Sequence, residues 1–127
     1  MAWQEPKTDW HGEYVNGEYV GDYFKAEDFN RIKNNIEHLW SLAVEKYGTF
    51  DIDSMGADRT PADYIYASDI NTIEDNFETI NNNTIKADYG TKPVYVDNGN
   101  TMDFNELNRL ESAMLNLYNT ISEESGT

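Results

Sequence analysis

One amphipathic segment occurs three times in this chain, and the repeat constrains the fold more than any other feature. "DFNRIKNNIEHL" occupies residues 28–39, "DINTIEDNFETI" residues 69–80, and "ELNRLESAMLNL" residues 106–117. Alternating steps of three and four residues separate the apolar positions in each copy, which places them on one stripe of an α-helix. One helix cannot bury such a stripe alone, but three helices can bury theirs against one another. The repeat therefore predicts a bundle of three similar helices.

The apolar stripes define the extent of the helices. They are predicted at about 26–47, 67–81 and 103–122. Ile32, Ile73 and Leu110 occupy the same place in the three copies, so we expect all of them in a shared core. A short extended lead-in precedes each helix, and the unit that repeats is therefore a lead-in followed by a helix.

An asparagine also recurs, as Asn30, Asn71 and Asn108. In a helix it lies roughly opposite the apolar stripe, so core packing does not explain it. One interpretation is that its amide binds the backbone of the lead-in and fixes the angle at which the chain enters the helix. The other is that a partner protein contacts the same polar group in all three copies.

"GEYVNGEYVG" at 12–21 has the pattern of a β-hairpin over residues 13–20. Tyr-Val pairs flank Asn16-Gly17, a dipeptide that suits a type I′ turn. A lone hairpin is marginal in water, and residues 93–96 are a candidate third strand. We therefore predict a mainly α fold with a small β element, formed by residues 1–127 as a single domain with an N-terminal arm at 1–11.

Charge and chemistry narrow the function by exclusion. With 24 acidic and 9 basic residues, the chain should repel nucleic-acid backbones and anionic membranes. The zinc-protease, phosphate-loop and nucleophile-elbow motifs are missing, so we expect no enzyme and no cofactor.

The best metal candidate is "DIDSMGADRTPAD", but Met55 and Ala62 stand where an EF-hand needs ligands, so we expect no metal site. The acidic surface either keeps the protein soluble or faces a basic partner.

Four aromatic residues are candidates for partner binding. Trp3 and Trp10 lie in a polar N-terminal stretch outside any periodic pattern, and large aromatics in such an arm often anchor interfaces. The alternative is that the arm folds back over the bundle. Tyr14 and Tyr19 lie in the hairpin, whose edges could accept an added strand.

Several segments resemble known phage proteins. These are "KTDW" at 7–10, "GDYFKAEDFNRIKNNIEHL" at 21–39, "DINTIEDNFETINNNT" at 69–84 and "TMDFNELNRLESAMLNLY" at 101–118. They are similar to segments of small acidic proteins encoded in tail and baseplate gene clusters of phages and prophages of Gram-positive bacteria. The link "HGEYVNGEYV" is longer than is usual in those proteins. The resemblance implies a non-enzymatic virion structural or adaptor protein, made in the host cytoplasm, that packs as a homo-oligomer or in many copies against other phage tail proteins.

The alternative function comes from charge alone. A net charge of −15 would suit an acidic inhibitor that imitates nucleic acid and blocks a host DNA-binding defence protein. Such a mimic needs carboxylates in two rows at phosphate-like spacing. The acidic residues here are spread over helix starts and connections, which argues against it.

Overall fold

The computed structural model describes residues 3–22, 24–63, 65–88 and 104–125. Its elements are, in chain order, β1 (Gly12–Val15), β2 (Glu18–Gly21), α1 (Ala26–Tyr47), α2 (Ala67–Asn82) and α3 (Phe104–Ser125). The predicted mainly α fold with a small β element is confirmed, and the helices differ from the prediction only at their ends. The candidate strand at 93–96 lies outside the described residues.

The apolar stripes of the three helices meet in one core. Ile32 and Ile73 are 1 % exposed and Leu110 is 0 % exposed, and the other stripe positions of each helix are buried around them. Each helix therefore covers the apolar face of the other two, as the repeat predicts.

The first two helices begin with the same contact. The side chain of Asp28 accepts the backbone N–H of Lys25 at 2.9 Å, and that of Asp69 accepts the N–H of Tyr66 at 2.8 Å. A carboxylate in this position pairs an amide that has no partner within the helix, and it lies at the positive end of the helix macrodipole. The repeated acidic residue therefore fixes the N-terminus of α1 and of α2.

β1 and β2 form the predicted antiparallel hairpin, with Val15 opposite Glu18 beside the turn. Asn16 and Gly17 both have positive φ, at 53° and 82°, as a type I′ turn requires. No residue of the two strands is buried. The hairpin thus protrudes from the helices and contributes no side chain to the core.

The second repeat shows which part of the first one the hairpin occupies. The N–H of Asp22 donates to the carbonyl of His11 at 2.9 Å, and the N–H of Asp63 donates to that of Thr60 at 2.9 Å. The Asp22 carboxylate accepts the His11 N–H at 3.0 Å, and the Asp63 carboxylate accepts the Thr60 N–H at 2.8 Å. Between these matched pairs the first repeat has the hairpin, whereas the second has only Pro61–Ala62. The hairpin is therefore an insertion into a turn that the chain can also close without it.

Candidate interaction surface

The N-terminal segment at 3–11 lies against α1 and α3. The side-chain amide of Asn35 accepts the N–H of Gln4 at 2.9 Å and donates to its carbonyl at 2.8 Å. The amide of Asn108 accepts the N–H of Trp10 at 2.7 Å and donates to its carbonyl at 3.0 Å. We call such a two-bond contact an asparagine clamp. It satisfies one donor and one acceptor of an extended segment, as a neighbouring strand would.

The connection before α2 is held in the same way. The amide of Asn76 accepts the N–H of Asp53 at 2.9 Å and donates to its carbonyl at 2.8 Å. The amide of Asn30 accepts the N–H of Arg59 at 2.6 Å and donates to its carbonyl at 2.8 Å. Each of the two lead-ins therefore lies between two helices, each of which contributes one clamp.

These contacts correct the prediction for the repeated asparagine in one respect. Asn30 on α1 binds the lead-in of α2, and Asn108 on α3 binds the lead-in of α1, so neither binds the lead-in of its own helix. The reason is that each side chain faces the groove beside a neighbouring helix, where that helix's lead-in runs. Asn71 stands at the equivalent position of α2 and is partly buried. Asn30 and Asn108 use both ends of their amides within the chain, which supports a structural role for them.

The two tryptophans hold the N-terminal segment on the helices. Trp10 is 4 % exposed, and its indole N–H donates to Glu111 at 2.5 Å. Trp3 is partly buried and stacks on Tyr118, with ring centroids 4.0 Å apart and planes 3° from parallel. His38, which helical periodicity places on the polar side of α1, lies beside Trp3 at 6.0 Å between ring centroids. The segment thus folds back over the bundle, and the Trp10 ring is not exposed as an anchor for a partner.

A buried carboxylate joins this segment to two helices. Glu111 on α3 is 0 % exposed and accepts the Nε and Nη2 hydrogens of Arg31 at 3.0 and 2.8 Å. It also accepts the backbone N–H of Lys7 at 3.0 Å. Burial alone would lower the pKa of Arg31, but its hydrogen bonds to Glu111 and Asp28 outweigh burial and raise that pKa. Arg31 therefore stays charged, and Glu111 receives four hydrogen bonds.

A second pair repeats the arrangement between α3 and α2. Arg109 donates to Glu74 at 2.5 Å and to Glu106 at 2.7 Å, and Glu74 is 2 % exposed. Burial alone would lower the pKa of Arg109, but its interactions with Glu106 and Glu74 outweigh burial and raise that pKa. Sequence reasoning missed both pairs. The signal that could have revealed them is the repeat itself. Arginine recurs at the equivalent position of the first and third copies, and glutamate at that of the second and third.

The candidate metal loop is packed against the bundle. Met55 is buried in the core, and the backbone of Asp53 is bound by Asn76. In the part of the chain that the structure describes, no three His, Asp or Glu side chains are grouped to hold a metal ion. Across the same residues, no helix combines the length and the apolar character needed to cross a membrane.

Exposed apolar groups concentrate on the hairpin. Tyr14 is 77 %, Val15 45 % and Val20 54 % exposed. The rings of Tyr14 and Tyr19 meet edge to face at 5.5 Å, and the Tyr19 hydroxyl donates to the Asp22 carbonyl at 2.5 Å. Of the sequence-predicted partner-binding residues, Tyr14 is therefore largely exposed, Tyr19 braces the hairpin, and Trp3 and Trp10 are packed on the bundle.

Comparison with protein-family models, with curated proteins and with solved structures finds no match for the chain. The exposed hairpin, the bundle and the resemblance of the repeated segments to phage tail proteins are therefore the basis on which a function can be proposed.

Proposed function

We propose that this protein is a non-enzymatic structural or adaptor component of a phage tail or baseplate, and that it acts by packing against other tail proteins. The observation that carries the proposal is the hairpin, which exposes Tyr14, Val15 and Val20 and buries none of its residues. Val15 and Val20 lie on one face of the hairpin and Tyr14 on the other. Exposed apolar side chains that are clustered on one element commonly mark protein–protein contact sites.

The rest of the chain supports a scaffold rather than a catalyst. The asparagine clamps on the two lead-ins and the two arginine–glutamate pairs connect the lead-ins and the helices, so the hairpin projects from a cross-linked base. Such a base holds a protruding element in a fixed position, which lowers the entropy lost when a partner binds. The resemblance to tail and baseplate proteins supports a location in the virion, after synthesis in the host cytoplasm.

The direct test is to measure whether the protein is present in purified virions, and in how many copies. Purified particles of a phage that encodes the chain are separated by density gradient and analysed by quantitative mass spectrometry, and detergent-released tails are probed for proteins that co-purify with it. We expect several copies per particle and a stable complex with a tail protein, with an interface of at least ~1,000 Å². Absence from virions, together with salt-sensitive binding to a basic host DNA-binding protein, would favour the nucleic-acid mimic instead.

A further inference from the structure

We propose that the outer edge of β1 is a docking site for a β-strand of a basic partner protein, in which a Lys or Arg and an apolar residue stand two positions apart. The inference rests on the proposed function, because it names the surface through which that packing would occur. The added strand would extend the hairpin to three strands.

The backbone of β1 offers the hydrogen bonds. Val15 pairs with Glu18 across a two-residue turn, so Glu13 and Val15 direct their backbone groups toward β2. Gly12 and Tyr14 consequently direct theirs outward. Among the residues that the structure describes, nothing hydrogen-bonds to these outward groups. A strand edge of this kind is a template for strand addition.

The side chains beside this edge define the partner's chemistry. Because side chains alternate along a strand, Glu13, Val15, Glu18 and Val20 share one face of the hairpin. All four are exposed, and "GEYVNGEYVG" contains no lysine or arginine. Within the described ranges, neither glutamate has an ion-pair partner. The face therefore carries two unneutralised carboxylates next to two accessible valines.

A basic strand matches this face, and a second copy of the chain does not. A strand added to β1 places two side chains on this face, from positions two residues apart, one beside Glu13 and the other beside Val15. A basic residue beside Glu13 and an apolar residue beside Val15 are favourable pairs. A second hairpin would add two more carboxylates to the same face, in a molecule whose net charge is already −15. Charge complementarity thus selects a basic partner of a different sequence.

The second lead-in shows how the hairpin can be removed while the turn that carries it stays closed. Since Thr60 and Asp63 close the equivalent turn around Pro61–Ala62, the segment Gly12–Gly21 can be replaced by the dipeptide Pro-Ala. His11 and Asp22 would then stand in the places of Thr60 and Asp63. We expect this hairpin-replaced protein to keep its circular dichroism spectrum and its Tm, because no residue of the two strands belongs to the core.

The probe is a short capped peptide that repeats lysine–threonine–valine–threonine, so that lysine and valine lie on the same face of the strand. The charge-reversed control, the glutamate–valine peptide, carries glutamate in place of each lysine. Binding is measured by calorimetry and by NMR amide shifts at low and high salt. We expect the lysine–valine peptide to bind, with shifts concentrated on β1, and the hairpin-replaced protein not to bind it. Glu13→Gln should weaken binding about two- to fivefold, whereas Glu45→Gln, the same charge change on an exposed site of α1, should not.

Equal binding by the wild-type and hairpin-replaced proteins would overturn the inference, as would equal binding of the two peptides. Hairpin-dependent self-association in light scattering would also overturn it, because the occupant would then be a second copy. Virion analysis separates this failure from that of the proposed function. If the hairpin-replaced protein still enters virions at the wild-type level, the docking site is wrong and the structural role stands.

Discussion

Replacing Asn108 tests whether the asparagine clamps hold the fold together. Its side-chain oxygen accepts the N–H of Trp10 at 2.7 Å, and its side-chain nitrogen donates to the Trp10 carbonyl at 3.0 Å. Asn108→Ala removes both bonds. Asn108→Asp keeps the acceptor, but at neutral pH it places a carboxylate oxygen against the carbonyl oxygen of Trp10.

The expected loss follows from the two bonds. Each contributes about 0.5–1.5 kcal/mol net, so Asn108→Ala should lower the free energy of unfolding by about 1–3 kcal/mol. With an m-value near ~2 kcal/mol/M, the urea midpoint falls by about 0.5–1.5 M. At pH 7, Asn108→Asp should cost at least as much as Asn108→Ala.

Acid should distinguish the two variants. The introduced carboxyl can donate to the Trp10 carbonyl only when it is protonated, so folding raises its pKa above the ~3.9 of an unfolded aspartate. The destabilising effect of the carboxylate is therefore small below pH ~3.9, and it grows as pH rises from there through the raised pKa of the folded protein. Relative to Asn108→Ala, the stability of Asn108→Asp should improve between pH 7 and pH 4.

Urea unfolding followed by the helical circular dichroism signal measures both effects. Asn119→Ala, at an exposed position of the same helix, is the matched control and should change stability by no more than about 0.5 kcal/mol. If the Asn108 variants behave like this control, the clamp contributes nothing. A surface contacted by a partner would then be the better explanation of the repeated asparagine.

Three further predictions follow from the charged groups and the candidate metal loop. Glu111→Ala should lower the free energy of unfolding by about 3–5 kcal/mol, because Arg31 loses its buried counter-charge. The double variant with Arg31→Met should recover part of that loss in thermal melts. Full stability of the Glu111→Ala variant would contradict the assigned network. The hydrogen bond from Lys33 lowers the pKa of Asp58, so this contribution is complete above ~pH 3.9 and disappears as pH falls through the lowered pKa. Asp58→Asn should therefore reduce Tm slightly at pH 7 and not in strong acid, and an equal reduction at both would be inconsistent with the pairing. Titration calorimetry with Ca²⁺ should show no heat, because the loop side chain of Met55 is buried in the core, and saturable heat would refute this.

The helices and their shared core could be predicted because the determining pattern is local. Apolar residues three and four apart define each stripe within a single copy, and the repeat identifies Ile32, Ile73 and Leu110 as equivalent. The hairpin could be predicted for the same reason, since Asn16-Gly17 encodes its turn in two adjacent residues. The helices and the hairpin themselves required only neighbours in sequence, and the shared core required only a comparison of the three copies.

The clamps and ion pairs could not be predicted because their partners are distant. Asn108 binds Trp10 from the other end of the chain, and Glu111 reaches Arg31 on another helix. A glutamate beside an apolar stripe is normally predicted to face solvent. Its burial can be recognised only when the distant segment that covers it is known. The sequence leaves the burial of Trp10 open for the same reason, because its own neighbours are polar and the residues that cover it lie on α3.

The contrast between the two lead-ins connects stability to function. Both are clamped by asparagines, but only the first carries a hairpin, and Pro61–Ala62 shows that the turn closes without one. A two-stranded hairpin is marginal by itself, yet this one is braced by the Tyr14–Tyr19 contact and by the Tyr19 hydroxyl bond to Asp22. These contacts keep the outer edge of β1 extended before any partner arrives, which reduces the ordering cost of binding. An element that the core does not require, and that the chain nevertheless holds in one conformation, is more readily explained by a partner than by the fold.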